Sequence, residues 1–599
     1  MIDPPPTTTP EAAARETPGP RRPARRRADV IAAVACAAFG WLLAFAPHLI
    51  WWPRLGEPVY IADNDDVEYM AVSAQAYFNH PTRLGEPTTA GSDRSMYPAA
   101  QFVPAVVLAR AFGWGPAGVD RVWRTWAGLS LGVGFYLVVR RFVAGPWVAA
   151  ALASVLLADA GMMTSNPIWG QARTALLVAT GRGASLFDGF PHVLPQYRII
   201  TPGLSLGALL VHVWLVARAR ERPDRLRTAL AGASFGLLFY VYFYYWTAAG
   251  LALVLALALD AGRRRVYFHT GWLGGLIGAP AVVSNYLITR DFPKDWLLRT
   301  DNFLPIARFS ELLLPRTAAL LAVVLLTLTW FRRRDMLHLA CLFAAGLLLL
   351  NHQVVTGLQI QNFHWTYAWG PCGSLLIVLL AAGALCPFAA GRPAAAGALA
   401  IVCLAHLATG CWLRYEEATR TTQSRGLLAT YRLYRDQRRG PAAPRFPDNA
   451  VVAGDPAFTE MAIALENVRP LAQYCTLFSP YITNRELAER QALDAVLAGD
   501  DRSAFAARQE RELAGGWGPW RRDPALRADR IAELLRDFDA ASADPSAPLD
   551  RFRVRLVARA DASPPPGPGW RLVEDGPTWR LWERPVAPAA GVNGGRPDL

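Results

Sequence analysis

Four carboxylates fall within one short run, Asp63-Asn64-Asp65-Asp66-Val67-Glu68-Tyr69. Acids at this spacing serve several chemistries. A carboxylate that is ionised and held still takes a proton from an attacking hydroxyl. Carboxylate oxygens together hold a hard divalent cation, magnesium or manganese. A lone acid caps a helix. If a helix starts at Asp66, Asp65 sits at its N-cap, fixed by backbone N–H groups, and Tyr69 and Ser73 share a face. Asp65 is then the candidate general base, Asp66 is the second acid, and Glu68 and Tyr69 lie beside them as candidate substrate contacts. Simple capping on a solvated loop is the plain alternative. Asp63-Asn64-Asp65 also fits D-x-D, so Asp63, Asp65 and Asp66 are the candidate ligands if a metal binds. An EF-hand is disfavoured, because its later glycine and terminal glutamate are missing.

What must position these acids is a membrane body. The run follows an arginine cluster, Arg21 to Arg27, and an apolar stretch from about Val30 to Trp52. About 20 apolar residues cross the hydrocarbon core, and basic flanks stay in the cytoplasm. The acids are therefore expected outside, close to the bilayer, where a substrate can be delivered by the lipid. A cleavable signal peptide, with Ala44-Phe45-Ala46 as its cleavage site, is disfavoured because the apolar run continues to Trp52 and further runs follow.

Of 599 residues, 53% are hydrophobic, and the formal charge is +13. Lys294 is the single lysine, and the arginines cluster in short turns between apolar runs. That pattern suits membrane topology. A nucleic-acid partner is not expected, because it would want the basic residues on one soluble face. Six of the seven cysteines lie in or beside apolar runs and no C-x-x-C occurs, so neither a disulfide framework nor a zinc site is indicated.

The sequence thus predicts a polytopic α-helical membrane protein with a C-terminal extracytoplasmic α/β domain. Residues 1–28 lack an apolar period and are expected to be a disordered cytoplasmic terminus. Spans are expected near 29–51, 119–139, 145–163, 199–218, 227–245, 246–262, 267–289, 316–331, 335–351, 367–387 and 393–413, about eleven in a transmembrane unit over 29–413. With the N-terminus inside, every inward turn is basic. The protein is then multi-pass in the inner (plasma) membrane with its C-terminal domain outside. The outer segments 53–118, 164–198, 290–315 and 352–366 are longer than mere connectors. Tyr97 to Phe112 is expected to lie in the interface as a helix. Residues 414–585 read as an α/β domain, with a strand at Asn449–Asp455, helices at Phe458–Glu466 and Asn484–Leu497, a strand at Arg551–Val557 and a hairpin within Trp570–Trp582. Residues 586–599 are expected to be a disordered tail.

Other candidates lie in the outer segments. Arg198 opens a span on the outer side, against the topological bias, with His192, Gln196 and Tyr197 before it. It binds a lipid-linked phosphate or anchors to headgroups. The polar segment Asn351 to Trp365 offers His352, Gln353, Gln359, Gln361 and His364 as hydrogen-bonding groups for phosphate or sugar, or is an ordinary solvated loop. Phe239, Tyr240, Tyr242, Tyr244, Tyr245 and Trp246 read as an interfacial belt, with a sugar-stacking surface as the alternative. The charges of Arg290, Lys294, Arg299 and Arg308 nearly balance those of Asp291, Asp295 and Asp301, which suggests a solvated loop. Asp159, near a span's outer end, is a functional suspect.

The run Asp65-Asp66-Val67-Glu68-Tyr69 resembles the D-E-x-x-Y segment in the first outer loop of GT-C glycosyltransferases, among them the protein O-mannosyltransferases and aminoarabinose transferases. The likeness continues through Phe102 to Gly113, Asp120 to Arg124 and Tyr136 to Phe142, with Asp66 in place of the family's glutamate. The resemblance implies a polyprenyl-phosphate sugar donor, an outer-face active site, inversion at the anomeric carbon, and Asp65 and Asp66 in the places of the general base and second acid. The acceptor, whether glycan, lipid or protein, is not named by it. An O-antigen ligase or polymerase, or a non-enzymatic transporter or flippase of lipid-linked sugar, are the competing readings. The first relies on a late Arg- and His-rich loop, and the second on internal repeats and broken spans.

Overall fold

The structure, a computed structural model, describes residues 23–79, 99–163, 171, 176–177, 179–182, 194–290, 292–300, 302–309, 312, 316–440, 443, 445–516, 518–560 and 563–585. The expectations for residues 1–22, His192 and 586–599 lie outside these. Helix α1 spans Pro23–Leu55 and so begins inside the segment expected to be disordered. The acidic run opens α2, Asn64–Phe78. Helix α3, Ala99–Ala111, falls where the sequence predicts an interfacial helix. There follow α4 (Pro116–Phe142), α5 (Pro146–Leu157), α6 (Ser205–Glu221), α7 (Arg225–Leu238), α8 (Phe243–Leu259) and α9 (Arg264–Thr289). The membrane body closes with α10 (Arg316–Arg332), α11 (Leu337–Leu350), α12 (Thr366–Ala389) and α13 (Pro393–Arg420).

Each expected span coincides with a helix of this series. Among the described residues, six helical stretches are long and apolar enough to cross a bilayer, and five further apolar helices are shorter. The protein is a multi-pass membrane protein. Apolar composition marks how much chain is buried, whereas helix breaks are placed by packing, so the spans at 145–163 and 227–245 end early. Helices α1 and α4 touch backbone to backbone. A Cβ on Gly132 would lie 2.2 Å from the Cys36 carbonyl oxygen, so only glycine permits this approach. One continuous cluster of buried apolar side chains fills the body from α1 to α13.

Helix α13 continues to Arg420, past the expected span end, and α14 (Thr422–Arg438) leads into the terminal domain. Two segments expected on the outer side pair as a short antiparallel ribbon, β1 (Asn302–Pro305) with β2 (Leu358–Ile360). The domain's sheet contains β3 (Ala450–Gly454), β4 (Val468–Pro470), β5 (Val554–Ala560), β6 (Arg571–Asp575) and β7 (Trp579–Glu583). Their order is β4-β3-β5-β7-β6, parallel across β4-β3-β5 and antiparallel thereafter. The strand expected at Asn449–Asp455 is β3, buried at every position, and that expected at Arg551–Val557 is β5, which starts only at Val554 because Arg551 ends a helical turn. Asn484–Ala498 (α16) covers the sheet at β3, and two helices not expected from the sequence, Arg502–Gly515 and Pro524–Ala543, pack on α16, while α15 (Pro456–Leu465) reaches α2.

The domain is fastened to the side of the membrane body that carries the acidic run. Gln75 donates to the Val468 carbonyl at 3.1 Å, and Ser424 donates to the Ala62 carbonyl at 2.9 Å. Arg299 is not a solvated charge. It is buried and donates to Leu477, Ser479 and Ile482 carbonyls and to Asn484.

Asp494 of α16 is buried and accepts the Gly454 N–H at 2.9 Å. Burial pushes its carboxyl up to about 7, against the pull of that N–H and of Arg508. The folded chain therefore keeps a proton that the unfolded chain releases near 3.8. The stability tied to this group is full in acid and is lost as pH rises through about 7. Asp494→Asn should stabilise the domain at pH 8, by on the order of a few kcal/mol, and do little at pH 4. Amide exchange of Val451 to Ala453 reads this. Equal protection in both proteins at pH 8 would contradict it.

Candidate active site

Helix α2 begins with Asp63, in extended conformation, accepting the Asp66 N–H at 3.0 Å. Asp63 is therefore the N-cap, and the helix starts at Asn64 rather than Asp66. Both Asp63 and Asp65 have the short acceptor a cap requires. The choice is made by Asp66, whose carboxylate turns back to accept the Ala62 N–H at 2.9 Å. As a result the three aspartates point in different directions.

Asp66 points into the protein and is fully buried. Its partner is Arg124 of α4 at 2.7 Å. Arg124 also holds Asp120 at 3.1 Å, and Asp120 meets His48 of α1 at 3.0 Å. A further N–H of Arg124 reaches the Tyr197 carbonyl at 3.3 Å. One guanidinium thus ties the start of α2 to the segment that ends in Arg198.

Asp65 points outward, 43% exposed, and forms an ion pair with Arg198, itself 13% exposed. The carbonyl of Arg198 accepts the Gly203 N–H at 3.1 Å, and a Cβ at Gly203 would lie 2.0 Å from that oxygen. Gly203 is thus required for the turn that presents Arg198. The Tyr69 hydroxyl hydrogen-bonds to Thr201, and burial, followed by the charge of Glu68, raises it above the ordinary phenol range. It stays protonated and can donate. Glu68 is buried beside it. The Arg198 charge also acts on His364. His364 Nδ1 meets the Tyr242 hydroxyl at 2.6 Å, and its ring stacks on Tyr244 at 4.6 Å between centroids. Tyr367 lies edge-on to it at 5.6 Å.

The structure therefore gathers Asp65, Arg198, Tyr69, Glu68 and His364. It does not gather the others with them. His352 packs against Trp365 and bonds the Leu349 carbonyl at 2.9 Å. Gln353 is buried in a short helical turn. Gln361 donates to the Thr300 carbonyl at 3.2 Å, and Gln359 accepts from Arg522 at 3.1 Å. Tyr244 and Tyr245 are buried rather than forming a lipid-facing belt. Asp159 is buried, with Ser374 at 3.4 Å and His406 at 3.8 Å. Tyr242 and Tyr244, for which a sugar-stacking surface was the alternative to a belt, lie against His364, while Thr201 and Tyr367 join the site without having been singled out. Arg124 carries a readable signal, an arginine four residues after an aspartate in an apolar span.

A divalent cation does not fit the acids as they stand. Asp63, Asp65 and Asp66 do not converge, and among the described residues no group of three or more His, Cys, Asp or Glu could hold a metal. What the arrangement offers is an outward carboxylate on a fixed helix start, a guanidinium against it and phenolic and imidazole donors around them.

No family model and no curated protein matches the chain. Solved structures resemble it in overall arrangement. ArnT from Cupriavidus metallidurans, bound to undecaprenyl phosphate, matches 94% of this chain and 99% of its own at 13% identity, with a TM-score of 0.47. The Archaeoglobus fulgidus oligosaccharyltransferase, with zinc and sulfate, matches 88% of this chain and 68% of its own at 12% identity, with a TM-score of 0.45. The likeness is one of fold.

Proposed function

We propose that the protein is a membrane glycosyltransferase that moves a sugar from a polyprenyl-phosphate-linked donor to an acceptor on the extracytoplasmic face, with Asp65 as general base. The resemblance in the first outer loop supports this reading. The observation that carries it is the pairing of an outward Asp65 with Arg198 at the edge of the membrane body. The acceptor hydroxyl gives its proton to the Asp65 carboxylate. Its oxygen bonds to the anomeric carbon as the bond from that carbon to the phosphate oxygen breaks, with inversion. The departing polyprenyl phosphate keeps the electron pair and is held by Arg198.

In the free protein Arg198 occupies the base. A donor phosphate that takes over the guanidinium releases Asp65, so donor binding readies the base for the acceptor. His364, Tyr69 and Glu68 supply contacts to the sugar and phosphate. His352, Gln353 and Gln361 are engaged elsewhere and have no part in this reading. Asp66 acts through Arg124 as a positioning residue.

The test is transfer of labelled sugar from a defined polyprenyl-phosphate donor by the purified full-length protein. Absence of turnover with a panel of such donors would sink the reading, and donor translocation without transfer would favour a flippase. Arg198→Ala should weaken donor binding by about 1.5–3 kcal/mol, the scale for hydrogen bonds to charged groups. It should raise the donor KM more than it lowers kcat if the contact is equally strong in ground and transition states. Unchanged donor affinity in the folded variant would remove Arg198 from the site.

A further inference from the structure

We propose that the ends of α7, α8 and α9 farthest from Asp65 form a binding site for one glycerophospholipid with an anionic headgroup. Helix α8 begins beside Tyr242 and runs 17 residues away from the site, roughly 25 Å at the helical rise. At its far end the turns before α7 and α9 border an open cleft of about 910 Å³. Arg225, Arg263, Arg264 and Arg265 line it. Asp224, the acid of the lining, is engaged by Arg227. Among the described residues no ion pair joins Arg225, Arg263 or Arg265 to a carboxylate. This is an anion site without its anion's counterpart in the protein.

A second observation says what the anion is attached to. Trp272 lines this cleft and also an apolar groove of about 570 Å³ between α8 and α9. Leu253, Val254, Leu257, Phe268 and Leu276 form the groove walls, with Gly271 and Gly275 as its floor. The glycines of α9 divide into two sets. A Cβ on Gly274 or Gly278 would strike Phe235 or Phe239 at 2.3 and 2.4 Å, so those two close the contact with α7. A Cβ on Gly275 meets nothing within 4 Å, and one on Gly271 meets Leu253 at 4.0 Å. Gly271 and Gly275 therefore leave space rather than bring helices together. Trp272 is 62% exposed where the basic and apolar parts join, the place an amphipathic ring takes at a headgroup. A free phosphate would use the arginines and have no use for the groove. A zwitterionic lipid would use the groove and leave the positive charge uncompensated. An acyl chain carrying an anionic head uses both.

The experiment needs no transfer assay. Full-length protein is reconstituted in equimolar phosphatidylcholine and phosphatidylglycerol vesicles, extracted gently, and its retained lipid counted by native mass spectrometry. Phosphatidylglycerol should be retained in preference. Arg263→Gln with Arg265→Gln should lower retention by about tenfold or more, as for loss of a charge-assisted contact. Gly275→Leu should do the same without changing charge, and it favours the helix. The proposal is overturned if Gly275→Leu retains the wild-type amount, if the two lipids are held equally, or if millimolar inorganic phosphate displaces the lipid completely.

Discussion

Asp65→Asn is expected to lower sugar transfer by about 10²–10⁴-fold, the usual contribution of a general base, while the protein stays folded. Folding is spared because the cap of α2 is Asp63 and the buried acid is Asp66. Asparagine keeps the shape of Asp65 and loses the electron pair that takes the proton. The same change frees Arg198 of its counter-charge. Donor binding should therefore hold or tighten as turnover collapses, the reverse of the pattern for Arg198→Ala. Donor titration alongside single-turnover kinetics separates the two. Turnover near that of the wild type would remove Asp65 from the chemistry.

Arg124→Met should destabilise the membrane body by about 3–5 kcal/mol, the scale for removing one partner from a buried ion pair. Asp66 and Asp120 would both be left buried without their guanidinium. The Tyr197 carbonyl would lose its donor as well, so Arg198 should shift and activity fall even in molecules that remain folded. Adding Asp66→Asn and Asp120→Asn to Arg124→Met should recover much of the stability, because no charge is then stranded, but not the activity. Thermal unfolding in detergent and the transfer assay measure the two effects. A single variant as stable as wild type would show that Arg124 does not neutralise these acids.

The membrane helices were legible because apolar composition reports burial directly, and the strand at β3 because a short apolar run between turns allows little else. The acidic run was legible as a site, though its geometry was not. Asp63 and Asp65 have equal capping chemistry, and the decision rests on where the Asp66 side chain turns. Arg198 stood out because an arginine on the outer side runs against topology. Its partner could not be read, because Asp65 lies in a different segment and no periodicity links them. Tyr242 and Tyr244 read as a belt since aromatics collect at span ends. They join the site through His364, 122 positions from Tyr242, a pairing set by the packing of the whole bundle. Arg299 read as one of several balanced surface charges, and only the docked domain buries it.

The end of α1 and the segment after it are clasped by α13 and α14. Trp51 donates to the Ala418 carbonyl across 367 positions, Arg414 to Leu43 across 371, and Ser424 to Ala62 across 362. At 5–20 residues per second a ribosome needs roughly 20–70 s to cover that interval. Throughout it the acidic run is already outside α1 but lacks the brace that shapes the approach to α2. Assembly of this site is thus timed by translation. A nascent chain carries every carboxylate of the candidate site early, and the site is complete only once α13 packs against α1. Slowing insertion of that one helix would delay activity without touching a residue of the site.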